Sequence, residues 1–371
     1  MDVKEFRIAE MLWISAFRGN VGLDIIPQWR PASRVYIEGR GRMGRNQMRR
    51  AILAVSAAAA ARWTLGNAQA QSRYPDRPVR IIVGYPPGGG ADFLARVAAQ
   101  GLSQRLGQSF VVDNRAGASG NIGATTAARA EPDGYTLLMG QIGSNALSNA
   151  LYVNPGFNAA TDFKAISLVA ELPNVVLVPN RSPVRSFAEL ISYARANPGR
   201  LTYGSAGTAS TIFMFMELLK ARYRLDITHV QYRGSAPMQT ALIAGEVDMT
   251  NDNITTAMPQ VQAGTVRALA VTSARRSEAL PDVPSVVEAG FPDLVVTSWF
   301  GLVAPTRTPA AIIETVSRGV QQTLRDPEII ARLRQLGAVA VGSTPEEYEA
   351  LMARERTRWA EVIRVAGVRP E

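Results

Sequence analysis

Ile81-Ile82-Val83-Gly84-Tyr85-Pro86-Pro87-Gly88-Gly89-Gly90-Ala91-Asp92 passes from an apolar run into a Pro/Gly loop, and a helix-like segment then opens at Asp92-Phe93-Leu94-Ala95-Arg96. The apolar run reads as a strand. Glycines let the loop backbone approach a ligand closely, and the first turn of a helix leaves free N–H groups aimed at the loop. Strand, small-residue loop and helix start together make a site for an anion, most simply a carboxylate or a phosphate.

The stretch before this unit has the form of a secretory leader. Met48-Arg49-Arg50 is a short basic region, Ala51 to Ala61 an apolar core, and Ala68-Gln69-Ala70 a small-residue cleavage site before Gln71. The apolar core is shorter than the roughly 20 residues that a spanning helix needs. Residues 48–70 are therefore expected to be a signal peptide cleaved near Ala70/Gln71, with the mature chain secreted to the periplasm. Residues 1–47 precede that signal and carry no second leader; they read as an upstream extension consistent with a start-site artefact. Arg49-Arg50 leaves general and twin-arginine export both open.

Charge follows the same division. The chain holds 40 basic and 31 acidic side chains, a net of +9. Residues 1–70 contribute 11 and 5 of these, so residues 71–371 carry 29 and 26. The basicity belongs mostly to the leader, and no concentrated basic face points to a nucleic-acid partner. The absence of cysteine excludes disulfides, thiolate catalysis and Cys-based metal sites. About 300 remaining residues suggest two domains.

Short apolar runs alternate with longer helix-like segments, which predicts α/β layers with mostly parallel strands. Arg80–Val83, Ser109–Asp113 and Tyr135–Met139 read as strands, the last ending in a loop over Gly140–Asn145. Val175–Val178 starts a second α/β unit. In it Leu201-Thr202-Tyr203 leads into Gly204-Ser205-Ala206-Gly207-Thr208-Ala209-Ser210, with a helix from Thr211. Val247–Thr250 reads as a strand, Ser298–Pro305 as one that returns to the first unit, and the rest as helical. Two loops of one construction, Pro86–Asp92 and Gly204–Ser210, predict a cleft gripped from both sides, with Ser205, Thr208 and Ser210 adding hydroxyls to the backbone N–H groups.

Other chemistries lack their motifs. Gly88-Gly89-Gly90-Ala91-Asp92-Phe93 misses the last glycine of G-x-G-x-x-G, and the P-loop Lys-Ser/Thr pair is absent. There is no G-x-S-x-G elbow. The single histidine, His229, sits in an apolar stretch and reads as structural. No catalytic residue, metal site or cofactor is expected. Asp92 is expected to stabilise the first helical turn. Asp248 and Asp252 either line the cleft or cap the next segment. Arg115 and Arg233 lie beside loops, with solvated surface as their default and anion pairing as the alternative.

Several blocks carry a family resemblance. Tyr85–Asp92, Val112-Asp113-Asn114-Arg115-Ala116-Gly117-Ala118-Ser119-Gly120-Asn121-Ile122-Gly123 and Pro132-Asp133-Gly134-Tyr135-Thr136-Leu137-Leu138 resemble segments of the Bug (TctC-like) receptors, the periplasmic binding component of tripartite tricarboxylate transporters. So do Tyr232-Arg233-Gly234-Ser235-Ala236-Pro237, Ala244–Asp248, Leu280–Gly290 and Trp299–Pro305. The blocks stand in family order over nearly all of 73–369.

The resemblance implies a two-domain, type II periplasmic-binding-protein-like (Venus flytrap) α/β fold. Domain 1 would comprise 71–173 and 297–371, and domain 2 174–296. It implies a monomer that captures a small organic carboxylate (di-, tri- or aromatic) in the interdomain cleft and delivers it to inner-membrane transporter subunits, with neither nucleic acid nor stable membrane insertion. By residue match the ligand would meet Tyr85, Pro87, Gly88, Gly89, Gly90 and Asp92 of the first loop, and Gln141, Ser144 and Asn145 of the third-strand loop. Ser205, Ala206, Thr208 and Ser210 of the second-domain loop would join them, and Asp252 would reach it too. The alternatives are a sensor that presents its ligand to a signalling kinase and a secreted α/β hydrolase-type enzyme. One departure stands out: where relatives often carry proline and histidine, this chain has Thr211-Ile212-Phe213-Met214-Phe215-Met216. Core packing is the expectation for this stripe. A more apolar pocket for an aromatic or long-chain acid, with Phe93 facing the cleft, is the alternative.

Overall fold

The computed structural model describes residues 74–370; the expected signal peptide (48–70) and upstream extension (1–47) lie outside the described residues. In chain order the elements begin β1 (Val79–Val83), α1 (Gly90–Leu106), β2 (Phe110–Asn114), α2 (Asn121–Ala128) and β3 (Thr136–Gln141). A π-helical turn (Gly143–Leu147) runs into α3 (Ser148–Leu151), and β4 follows over Phe163–Pro179. Next come α4 (Phe187–Ala196), β5 (Leu201–Ser205), α5 (Thr211–Tyr223), β6 (Ile227–Gln231), α6 (Ser235–Ala244), β7 (Met249–Asn253), α7 (Ile254–Gln262) and β8 (Val266–Val271). The chain closes with β9 (Thr297–Pro305), α8 (Ala310–Thr323), α9 (Pro327–Gln335), β10 (Val339–Ala340) and α10 (Pro345–Ala366).

Local chemistry accounts for the boundaries. Thr344 accepts from the Glu347 N–H while Glu347 reaches back to the Thr344 N–H, a capping box that starts α10 with Pro345 in its first turn. Ser186 and Ser210 cap α4 and α5 in the simpler way, each accepting from the N–H three residues on.

The strands follow the order β2-β1-β3-β9-β4-β7-β5-β6, with β8 and β10 also pairing β4. β1 pairs β2 and β3 in parallel, and β5 pairs β6 and β7 in parallel. β4 and β9 interrupt that pattern. β9 is antiparallel to β3 and β4, and β4 is antiparallel to β7 and β8. The expectation of mostly parallel strands is thus corrected: each parallel set is intact, but antiparallel strands join them. Phe163–Pro173 pairs with β9, and from Asn174 on the same strand pairs with β7 and β8. Pro173 marks the change of partner, which is why Val175 looked like a beginning: a proline usually bounds a strand.

Apolar residues cover both faces of the ladder. One side gathers Trp299, Tyr348, Met352 and Trp359 with Phe187, Phe213 and Phe215; the other gathers Ile81, Leu94, Leu102, Leu172 and Phe300. Among the described residues no helix is long and apolar enough to cross a membrane.

Candidate functional site

Three helices begin at one cavity of about 60 Å³. Gly90 and Ala91 open α1, Thr211 and Ile212 open α5, and Ser235 and Ala236 open α6; all six line it. The first-turn N–H groups of a helix have no partner inside it. At α1 and α6 the N-cap residues are Gly89 and Gly234, which offer no side-chain cap. Each helix start carries roughly half a positive elementary charge, so their convergence favours an anion without any ionised side chain. Pro86, Pro87, Ile212 and Phe300 add apolar surface, and Gln141 and Asn253 add amides.

The close approach is built by glycine. A Cβ at Gly90 would stand 2.7 Å from Asn253 Oδ1. Asn253 is itself anchored from behind, its Nδ2 donating to Asn174 Oδ1 at 2.7 Å and to Ser298 Oγ at 2.9 Å. Asn174 Nδ2 donates to Asn251 Oδ1, and Asn251 Nδ2 to the Ile212 carbonyl, each at 2.7 Å. This buried amide network fixes β4, β7, β9 and the start of α5 where the two sets of strands meet.

Around the cavity, loops from the β1–β3 side touch those from the β5–β6 side. Gly207 has φ +128°, a conformation that favours glycine, and a Cβ there would stand 2.5 Å from Ser119 Oγ. Tyr152 OH lies 2.8 Å from Ser119 Oγ and 2.7 Å from Thr208 Oγ1, a hydroxyl cluster across the seam. Pro86 sits against Gly234 on the β5–β6 side.

Of the residues singled out from sequence, Tyr85, Pro87, Gly89, Gly90, Gln141, Ala206 and Ser210 line the cavity. The others stand around it. Asp92 turns back on its own loop, accepting from the Gly88 N–H at 3.1 Å, from Arg96 Nε at 3.0 Å and from Asn114 Nδ2 at 3.0 Å. Burial pushes its carboxyl up, but Arg96, Gly88 and Asn114 outweigh that and hold it below the usual range. Ser144 donates to Asn145 Oδ1 at 2.6 Å, both in the turn beneath Gln141. Thr208 belongs to the seam. Ser205, wholly buried, is 2.7 Å from His229 Nε2 and accepts from the Gly207 N–H. A Ser–His contact thus exists, but its hydroxyl shapes the loop and does not face the cavity. His229 stacks 4.9 Å from both Tyr203 and Phe213, and burial lowers its pKa to about 4.

Asp252 lies inside β7 rather than after a strand, because β7 starts two residues later than the sequence suggests. Its carboxylate accepts from Ser235 Oγ at 2.8 Å and Gln239 Nε2 at 2.9 Å, and so pins the start of α6 from behind. Burial pushes this carboxyl up, and those donors work against the rise.

The stripe after Thr211 is core. Phe213 lies against Tyr203, Phe215 against Phe187, and Met214 and Met216 are fully buried; only Ile212 reaches the cavity. Phe93 does not line it; its ring lies 5.7 Å from the Arg332 guanidinium.

Sequence reasoning did not nominate the start of α6. Gln231–Ser235 repeats the strand–loop–helix construction with a single glycine, Gly234, too little small-residue content to stand out. A larger cavity of about 460 Å³, lined by Glu171, Arg275, Glu278 and Arg334 among others, contains none of the nominated residues and no helix start. Among the described residues no group of three or more His, Cys, Asp or Glu side chains is placed to hold a metal ion.

Fold and site together define a type II periplasmic-binding-protein-like α/β molecule with a cavity at which three helices start. The family model for the tripartite tricarboxylate transporter family receptor matches residues 94–368, and the chain belongs to that family. It is 34% identical over 298 residues to protein BugT of Bordetella pertussis, covering 80% of this chain and 91% of that one. Among solved structures, R. palustris Rpa4515 with adipate is 40% identical with a TM-score of 0.78, covering 80% of this chain and all of that one. MatC from Rhodopseudomonas palustris with bound malate is 32% identical with a TM-score of 0.75, covering 78% of this chain and all of that one.

Proposed function

We propose that this chain is a periplasmic solute-binding protein that captures a small organic carboxylate and presents it to inner-membrane transporter subunits. The observation that carries the reading is the convergence of three helix starts, through six first-turn residues, on one cavity. Adipate and malate in the two structural relatives support an aliphatic dicarboxylate as the ligand within the di-, tri- and aromatic range. The apolar surface of Ile212 and Phe300 suits a short methylene spacer better than a water-filled anion site would. Closing two lobes on such a ligand removes water, where each N–H donor is worth more. In this reading residues 71–173 with 297–371 form one lobe and 174–296 the other, β4 running through both and the chain re-entering the first lobe at the start of β9. The mature chain starts near Gln71 and acts as a monomer.

Native mass spectrometry of the purified mature chain, with release of any co-purified molecule, tests the proposal. A bound dicarboxylate supports it. For an empty protein, a thermal-shift series over di-, tri- and aromatic acids should show stabilisation that grows with ligand concentration. A flat response to every acid, or chemical turnover of the bound one, sinks the binding-protein reading.

A further inference from the structure

We infer that Arg233 is the specificity residue that recognises the second carboxylate of a dicarboxylate ligand, an assignment that rests on the carboxylate reading of the cavity. Arg233 is the only cavity-lining side chain, among the described residues, with a formal charge. It is exposed and forms no ion pair with any described carboxylate. The other loop arginines are spoken for: Arg96 pairs with Asp92 and Arg115 with Asp113, each at 3.0 Å. An unpaired guanidinium at the lip of a cavity that contains no carboxylate is free to take one from a ligand, in the two-pronged geometry that guanidinium and carboxylate share.

Its place on the lip is set by the backbone. Arg233 immediately precedes Gly234, which sits against Pro86 from the opposite side of the seam. Arg233 therefore lines the cavity where the two sides meet, and its exposure assigns it the solvent end, leaving the buried end to the N–H groups. A ligand with one carboxylate satisfies the N–H groups alone. One with a second carboxylate, spaced by methylenes over Ile212 and Phe300, engages Arg233 as well.

The test compares adipate with hexanoate, which share chain length and differ by the terminal carboxylate, by calorimetric titration of the full mature chain. Arg233→Gln should weaken adipate by about tenfold or more and leave hexanoate within about twofold. Arg233→Lys should restore part of the difference, because it keeps the charge but not the fork. Raising the salt concentration should shrink the adipate preference of the parent protein and not that of Arg233→Gln, as the exposed charge is screened. Unchanged adipate affinity in Arg233→Gln, or equal losses for both acids, overturns the assignment while leaving the carboxylate reading in place. Failure of the parent protein to bind either acid overturns the assignment, and a flat thermal-shift response to every other di-, tri- and aromatic acid overturns the carboxylate reading with it.

Discussion

Gly90 shows how a single missing atom makes room for a ligand. Its position near Asn253 Oδ1 leaves no space for a methyl, yet its backbone conformation is an ordinary helical one. Alanine would suit the helix itself, but its methyl would press on Leu172 of the core and displace Asn253 from the cavity wall. Gly90→Ala is expected to cost more than about tenfold in dicarboxylate affinity and to lower the unfolding temperature of the empty protein by several degrees, an order-of-magnitude expectation from overpacking against a held amide. Titration calorimetry beside a melting curve separates the two effects.

His229 makes a different prediction. Its folded pKa of about 4 lies below the usual value, chiefly through burial. The unfolded chain therefore binds the proton more readily, so this group's contribution to stability is complete above about pH 6.5 and falls away as pH drops toward 4. Denaturant midpoints measured at pH 7.5 and 4.5 should differ in that direction, and less so in His229→Gln. An equal fall in both proteins would remove the histidine from the account. Ser205 belongs to the same unit: its hydroxyl serves His229 and Gly207, so Ser205→Ala would act through loop shape rather than through a lost ligand contact.

At the scale of elements, the seam hydroxyls are expected to set how firmly the cavity stays shut. Tyr152 bonds Thr208 across it and Ser119 on its own side. Tyr152→Phe removes both bonds and is expected to speed ligand release several-fold, at about 1 kcal/mol per lost bond. Thr208→Val should do the same, and the double variant should be little worse than either single one, since both remove one shared contact. Stopped-flow release rates check this, and fully additive losses would show that the two hydroxyls act separately.

Elements were also where the sequence was most readable. The apolar runs of β1 and β5 and the small-residue loops after them announce two helix starts of the cavity. The third was hidden because Tyr232-Arg233-Gly234-Ser235 carries the same turn with little of the composition. Strand β4 was half legible: Pro173 conceals its continuity, since only the partner, and not the strand, changes there. The placement of Asp252 depended on two residues of register in β7, a precision that periodicity does not supply. Asp92 and Thr208 were singled out as ligand residues of the two loops, and neither lines the cavity; composition carries no sign of what each side chain bonds.

For the whole molecule, the proposed lobes are joined within β4 and at the entry to β9, and the buried amide network of Asn174, Asn251 and Asn253 with Ser298 sits at that junction. If the lobes divide as proposed, adipate should reduce the radius of gyration measured by small-angle scattering, and the reduction should be smaller in Tyr152→Phe. A radius indifferent to saturating ligand would argue for a preformed, rigid site. The same junction ties binding to unfolding: ligand at a hundredfold excess over Kd should add about 2.7 kcal/mol to stability.

In the proposed reading the cavity's grip on an anion comes mainly from peptide groups, which every substitution except proline leaves in place. Affinity for the acidic group is in that sense written into the path of the chain, whereas preference among acids rests on a few side chains at its edges. Changing diet, for such a receptor, would mean replacing residues such as Gln141, Ile212 or Arg233 one at a time while the anion hold persists through every intermediate.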